Sequence, residues 1–479
     1  MAKKGNVFVR AGKGIAAFFR CLGTRFTDGS VGTKISHLIM GVGNLCNGQI
    51  VKGILFFLCQ LAFLAFMILC PEVNGTPLGG KALANLITLG TNPGGFDEIK
   101  LKVIIGDNSM LMLLFGLVTI GVIALFLVVW NAAVQSSYEA DLAKRGGRKP
   151  RTFREDLARM GDEDFHKTML APTIVGVLLF TVLPTIYMIL IAFTDYANAN
   201  GQVFFDWVGL ENFVSLFTQP DSEIGARFLP VAGWTLCWAF FATGTCYFGG
   251  ILLALLINRK GIKGKKIFRT VFILTIAIPQ FISLLAIRNL LSFSGPVNTF
   301  LVESGISKVP VDFFGLDYML APSGKVWSND IFIKFSIIMV NMWIGIPYTM
   351  LMTSGILMNI PQDMYEAARI DGAGPIKMFA KITFPYIFFI MTPYLISSFI
   401  GNITSFNIIF MLTGGGPAVA GFKAGKTDLL VTWLYKLTID NSLYNVGAVI
   451  GILTFLCTAT ITLITYRRSK SYKEEDTFQ

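Results

Sequence analysis

Along this chain the polar positions are gathered into islands between long apolar runs. A helix needs roughly 20 mainly apolar residues to cross the hydrocarbon core of a bilayer. Eight runs meet that length, at 53–70, 109–134, 169–194, 231–257, 270–292, 331–357, 386–413 and 444–466. The first is the shortest, and its start can move back toward Ile50. The pattern predicts an all-α polytopic membrane protein of about eight transmembrane helices.

Composition supports this pattern. Of 479 residues, 53% are hydrophobic and 14% charged, more apolar surface than a soluble core of this size can hide. The net charge of +11 first raises nucleic acid as a partner. Its distribution says otherwise. Of the 40 Lys and Arg, 29 fall in the N-terminus, 135–168, 258–269, 358–385 and the C-terminal tail, and 9 in the four intervening loops. Positive charge marks the cytoplasmic side, so both termini are expected there and the basicity reports topology rather than nucleic-acid binding. Seven cysteines without paired spacing read as small buried hydrophobes. With two histidines, His37 and His166, metal binding and His-based catalysis have little to build on. The long basic stretch before the first apolar run is unlike a cleavable signal.

The expected organisation is an N-terminal segment with two spans (1–134), a basic linker (135–168), a six-span core (169–467) and a tail (468–479). For 35–52 two readings stand, an interfacial or re-entrant element and a simple lead-in. The linker, with Lys144, Arg145, Arg148, Lys149, Arg151 and Arg154, reads as a solvated topogenic segment or a membrane-surface element.

Four spans carry proline, at Pro184, Pro279, Pro347 and Pro393, each of which removes a backbone donor and tends to kink a helix. With Gln280, Asn341, Asn402 and Asn407 they suggest a moving bundle around a polar path, or inter-helix hydrogen bonds. Arg288 and Lys334 sit toward span ends, where snorkelling is expected. No Asp or Glu lies deep in any expected span, which argues against a proton-coupled secondary transporter. No cluster of His, Asp or Cys marks a membrane-embedded enzyme either.

The basic-side loop 358–385 predicts a helix–turn–helix. Pro361 and Asp363 suit a helix start, Ala367 and Ala368 favour helix with little bulk, and Gly372, Gly374 and Pro375 break it. A second short helix is expected over Ile376–Phe384, with Pro385 entering the next span. AGFKAGKT (420–427) ends like a phosphate-binding loop, but Ala420 stands where the first glycine belongs and no strand precedes it.

The run Glu366-Ala367-Ala368, with Gly372, Ile382 and Pro385 at their spacing, resembles the EAA loop of ABC importer permeases that use an external binding protein. Phe384 stands where that family favours Leu. NMWIGIPYTMLMTSGI (341–356), MLTGGGP (411–417) and TDLLVTWLYKL (427–437) resemble the carbohydrate-uptake branch, nearest the larger permease subunits of maltose/maltodextrin importers. The resemblance covers roughly 169–467.

It implies a bacterial inner-membrane permease without enzyme activity or cofactor of its own, ATP and Mg being bound by the partner ATPase. Implied partners are a second homologous permease in a heterodimer, two ATPase subunits, an extracellular sugar-binding protein, the sugar and membrane lipid. Coupling to the ATPase would fall to Glu366, Ala367, Ala368, Asp371, Gly372, Gly374, Ile382 and Pro385. Sugar contacts would fall at Ile344, Gly345 and Tyr348 on the sixth span, and Ser398, Gly401, Asn402 and Ser405 on the seventh. The family has an aromatic at Gly401 and an amide at Ser405. The loop 195–230 is compact, as in Gram-positive relatives. Another oligosaccharide is the alternative substrate.

Overall fold

The computed structural model describes residues 7–92, 95–97, 102–104, 106–197, 204–219, 222–259, 261–316 and 329–468. The expected tail, but for its first residue, lies outside them. Helices dominate, with two small antiparallel hairpins, Glu72–Val73 with Thr76–Pro77 and Gly95–Asp97 with Lys102–Ile104. Two compact units form, one from the described residues of Met1–Tyr196 and Asn200–Trp207, the other from those of Ala197–Ala199 and Val208–Gln479.

The first unit contains α1 (Val7–Asp28), α2 (Ile50–Leu69), α3 (Ser109–Arg145), α4 (Phe153–Met160) and α5 (Phe165–Ile191). The Asn108 side chain caps α3 by accepting the Leu111 N–H at 3.0 Å, satisfying a donor that helix geometry leaves free. That helix runs eleven residues beyond the expected end of the second span, with Ser137, Ala140 and Asp141 buried along the way. The basic stretch 135–168 is therefore largely helical. Residues 35–52 form short helices joined by turns and pack on α3 rather than leading straight into α2; Asn44 donates to Ser136 at 2.9 Å. In α5 a π turn, Leu178–Val182, precedes Pro184 and takes up the donor the proline lacks.

The second unit holds α6 (Gly225–Asn258), α7 (Lys265–Ala277), α8 (Gln280–Leu290), α9 (Asp330–Met358), α10 (Gln362–Ile370), α11 (Pro375–Ile403), α12 (Asn407–Leu412) and α13 (Tyr444–Arg467). Among the described residues, seven helices are long and apolar enough to cross a membrane. The fifth expected span, 270–292, is a pair, α7 and α8, bent by 96°. Pro279 causes the bend: it holds Ile278 in extended backbone and caps α8. The seventh span also differs from expectation. It begins at Pro375, 11 residues early, and ends at Ile403 before a break that leads into α12.

Spans in lipid gain little from apolar burial against one another and associate through close packing and hydrogen bonds. In the second unit α6 and α9 do both. Asn341 donates to Cys246 Sγ at 3.4 Å, and the Cys246 side chain packs onto Gly345 so closely that any Cβ there would collide. Trp238, Leu284, Ile333, Ile409 and Leu429 fill the centre of one cluster, and Tyr247, Ile251, Ile356, Ile387 and Met391 another. Of the cysteines, Cys70 and Cys246 are buried; the other five lie exposed on helix faces, a correction to the reading that most are buried. All seven are unpaired.

Candidate functional site

The loop after α9 is a rigid helix–turn–helix. Pro361 caps α10 in extended backbone rather than occupying its first turn, and Asp363 lies at the positive end of the helix dipole. The turn closes with two bonds, from Gly372 N–H to the Arg369 carbonyl at 3.0 Å and from Ala373 N–H to the Ala368 carbonyl at 2.8 Å. This is a Schellman closure, and it requires the left-handed φ of +73° found at Gly372. Gly374 has an ordinary φ of −71° and open space around its Cα.

The second helix is not separate from the span. Pro375 starts α11, which continues through a π turn at Phe379–Thr383 and past Pro385 to Ile403. The missing donor of Pro385 is absorbed by that turn, where the Phe384 N–H reaches back to the Phe379 carbonyl. Any force on the turn is thus applied to a continuous 29-residue helix. Phe379 and Phe384 anchor it by packing on the Tyr247–Met391 cluster. Glu366, Ala367, Asp371, Gly372, Gly374 and Pro385 are exposed, whereas Ala368 and Ile382 are half-buried. Ile370 and Ile376 are 86% and 84% exposed, an apolar pair at the tip of a hydrophilic turn.

A second group lies on α9 and α11. Tyr348 is 48% exposed and its ring lies 5.8 Å from that of Tyr394, tilted by 38°. Ser398, one turn beyond Tyr394, and the open Gly401 continue this surface. An aromatic face beside hydroxyls suits stacking on a polar ring. The other expected contacts lie elsewhere. Ile344 packs against the core, Gly345 lies under Cys246, and Ser405 sits past the end of α11. Asn402 is half-buried and donates to Thr243 on α6 at 2.9 Å. It and Asn341 serve helix packing, the second of the two readings open for such amides. Tyr394 was not singled out in the sequence, although it stands four residues before Ser398.

The GGGP and TDLL phrases meet at one buried carboxylate. Asp428, wholly buried, accepts from Lys436 at 2.6 Å, Gly425 N–H at 2.7 Å and Thr432 at 2.9 Å. Lys426 pairs with Asp330 at 2.8 Å. The GKT triplet is thereby tied into this loop, and the element before it is the helix α12, not a strand. Lys334 lies 4.5 Å from the Trp234 ring centroid, and Arg288 donates to the Met411 carbonyl at 3.4 Å.

The family model described as binding-protein-dependent transport system inner membrane component matches residues 247–470, which include both surfaces. The chain is 33% identical over 445 residues to the maltodextrin transport system permease protein MdxF of Bacillus subtilis, spanning 92% of this chain and 95% of that protein. The chain belongs to this permease family. It is a multi-pass membrane protein, and such permeases are the membrane components of binding-protein-dependent importers. A galactooligosaccharide permease, GanP of Bacillus subtilis, is 31% identical over 441 residues, 91% of this chain and 97% of that one. In fold, the permease resembles a chain of a bacterial alginate ABC transporter, with a TM-score of 0.51 at 23% identity over 66% of this chain and 96% of that one.

Proposed function

We propose that this chain is the membrane-spanning subunit of an ATP-driven sugar importer whose substrate is a maltodextrin. The observation that carries this reading is the nearly end-to-end match, at 33% identity, to a maltodextrin permease. In this reading the chain pairs with a second, homologous permease, two ATPase subunits engage the pair, and an extracellular binding protein delivers the sugar. Both termini and the turn at Glu366–Pro385 face the cytoplasm. ATP and Mg bind the ATPase, so no covalent chemistry falls to this chain.

The exposed turn and the continuous α11 support a coupling role. Glu366, Ala367, Asp371, Gly372 and Gly374 would meet the ATPase, and its closure would tilt α11 as a lever. Tyr348, Tyr394 and Ser398 would then line the sugar path. A second reading, import of a galactooligosaccharide, is favoured by the comparable identity to GanP. Proteoliposomes holding the permease pair, ATPase and binding protein test both. ATP-dependent uptake of maltotriose supports the proposal; uptake of galactobiose alone selects the second reading, and uptake without ATP overturns both.

A further inference from the structure

In the first unit α2 and α5 begin at the end where α3 finishes, and that end carries a cavity of about 770 Å³. Its wall gathers six cations, Lys52, Arg148, Lys149, Arg151, Arg159 and Lys167, against three carboxylates, Glu139, Asp156 and Asp164. Half of the cations are committed. Lys52 is buried and pairs with Asp156. Arg159 lies 2.8 Å from Asp164 and 2.9 Å from Glu163, and Lys167 lies 2.7 Å from Asp164. The hydrogen bond from Lys167, with the Arg159 charge beside it, holds the Asp164 carboxyl below its ordinary value, so this group stays ionised.

The other three, Arg148, Lys149 and Arg151, are exposed, and their side chains have no ion-pair partner among the described residues. They are nonetheless held in place. The Arg151 carbonyl accepts from Gln49 at 2.6 Å and from Lys52 at 3.0 Å, while the Arg148 N–H donates to the Ala143 carbonyl at 2.9 Å. The topogenic role of these cations needs only their charge near a span end. It does not need a cavity, nor a backbone fixed by a buried lysine.

Directly after Arg151 comes α4, begun by a capping box in which Thr152 and Glu155 satisfy each other's backbone donors. Phe153, Leu157 and Met160 stand at i, i+4 and i+7, and are 42%, 57% and 51% exposed. An apolar stripe flanked by unpaired cations, at the end of three spans, is the composition of an element lying at the headgroup–acyl boundary.

We propose that this cavity binds the phosphate of an anionic membrane lipid through Arg148, Lys149 and Arg151. The guanidinium groups present paired donors to phosphate oxygens, and Lys149 adds a point charge. The stripe on α4 lies against the acyl chains. That stripe is what favours a lipid over free phosphate, since a soluble anion has no use for it.

The test is lipid retention by the full-length protein released from nanodiscs of mixed phosphatidylglycerol and phosphatidylcholine, read by native mass spectrometry. Phosphatidylglycerol should be retained over phosphatidylcholine, and Arg148→Gln/Lys149→Gln should lower its retention about tenfold. Lys81→Gln/Lys308→Gln, which removes the same charge elsewhere, should leave retention unchanged. An equal fall in both variants, or no preference between the two lipids, overturns the proposal. Millimolar inorganic phosphate should fail to displace the lipid. Displacement by inorganic phosphate as effective as that by short-chain phosphatidylglycerol assigns the cavity to a free anion and overturns the lipid assignment. Single Arg148→Gln and Lys149→Gln variants, each with an intermediate fall, guard against misfolding of the double variant.

Discussion

The hydroxyls of Tyr365 and Thr383 lie 2.8 Å apart and join α10 to the π turn of α11. Thr383 is 5% exposed, so the bond is sheltered from water and holds the two arms of the turn as one body. A neutral hydrogen bond of this kind contributes about 1 kcal/mol net. Tyr365→Phe should therefore loosen the turn without unfolding the spans. Amide exchange over 362–371 should quicken about fivefold, within that same free energy. ATP-dependent uptake should fall while membrane insertion stays normal. Unchanged exchange would show that packing alone holds the arms together.

Gly372 and Gly374 make a matched pair of tests. Gly372→Ala forces a side chain into the left-handed region and should destabilise the turn by about 1–2 kcal/mol. Gly374→Ala meets nothing within 4 Å and has an ordinary φ, so the chain itself should tolerate it. Exchange rates separate the two. If Gly374→Ala weakens co-purification with the ATPase while exchange over 362–378 is unaltered, the residue serves a docking partner. Full ATPase binding and uptake in that variant would remove Gly374 from the coupling surface.

Much of this geometry was legible in the sequence because it depends on local chemistry. The breaks at Gly372 and Pro375, the bend at Pro279 and the apolar lengths of the spans each follow from single-residue preferences. What escaped depends on contacts distant in sequence. Tyr365 finds Thr383 across the turn, Asn402 finds Thr243 across 159 positions, and Cys246 finds Gly345. Periodicity cannot reveal which of two helices an amide will face. Nor could span length alone place the start of α11, because a proline within a helix reads as a boundary unless a π turn absorbs its missing donor.

The paired rings of Tyr348 and Tyr394 predict a division of labour on the α9–α11 surface. Tyr348→Ala should reduce sugar uptake about tenfold, given roughly 1.5 kcal/mol for a lost aromatic contact. Protein yield and thermal stability should stay near normal, because the ring is 48% exposed. Asn402→Leu should instead lower stability together with Thr243→Val, and the two should couple in a double-mutant cycle because they share one bond. Uptake and stability measured side by side decide the matter. Additive losses for Asn402 and Thr243, with uptake falling more than stability, would return Asn402 to the sugar path.

Asp428 and Lys436 provide the sharpest stability prediction in the second unit. The carboxylate is wholly buried and the ammonium 20% exposed, so removing one partner leaves a charge that the surroundings can solvate only in part. Lys436→Met should cost about 3 kcal/mol, and Asp428→Ala as much or more, since it also strands Gly425 N–H, while the Thr432 hydroxyl keeps the Leu429 carbonyl as acceptor. In Asp428→Asn/Lys436→Met both charges are gone while an amide oxygen remains for Gly425 N–H and the amide N–H can donate to the Thr432 hydroxyl. This double variant should be more stable than Lys436→Met alone. Thermal unfolding of the purified permease in one detergent measures all three. If the double variant is the least stable, the pair acts through separate contacts, and the buried charge is neutralised by groups other than Lys436.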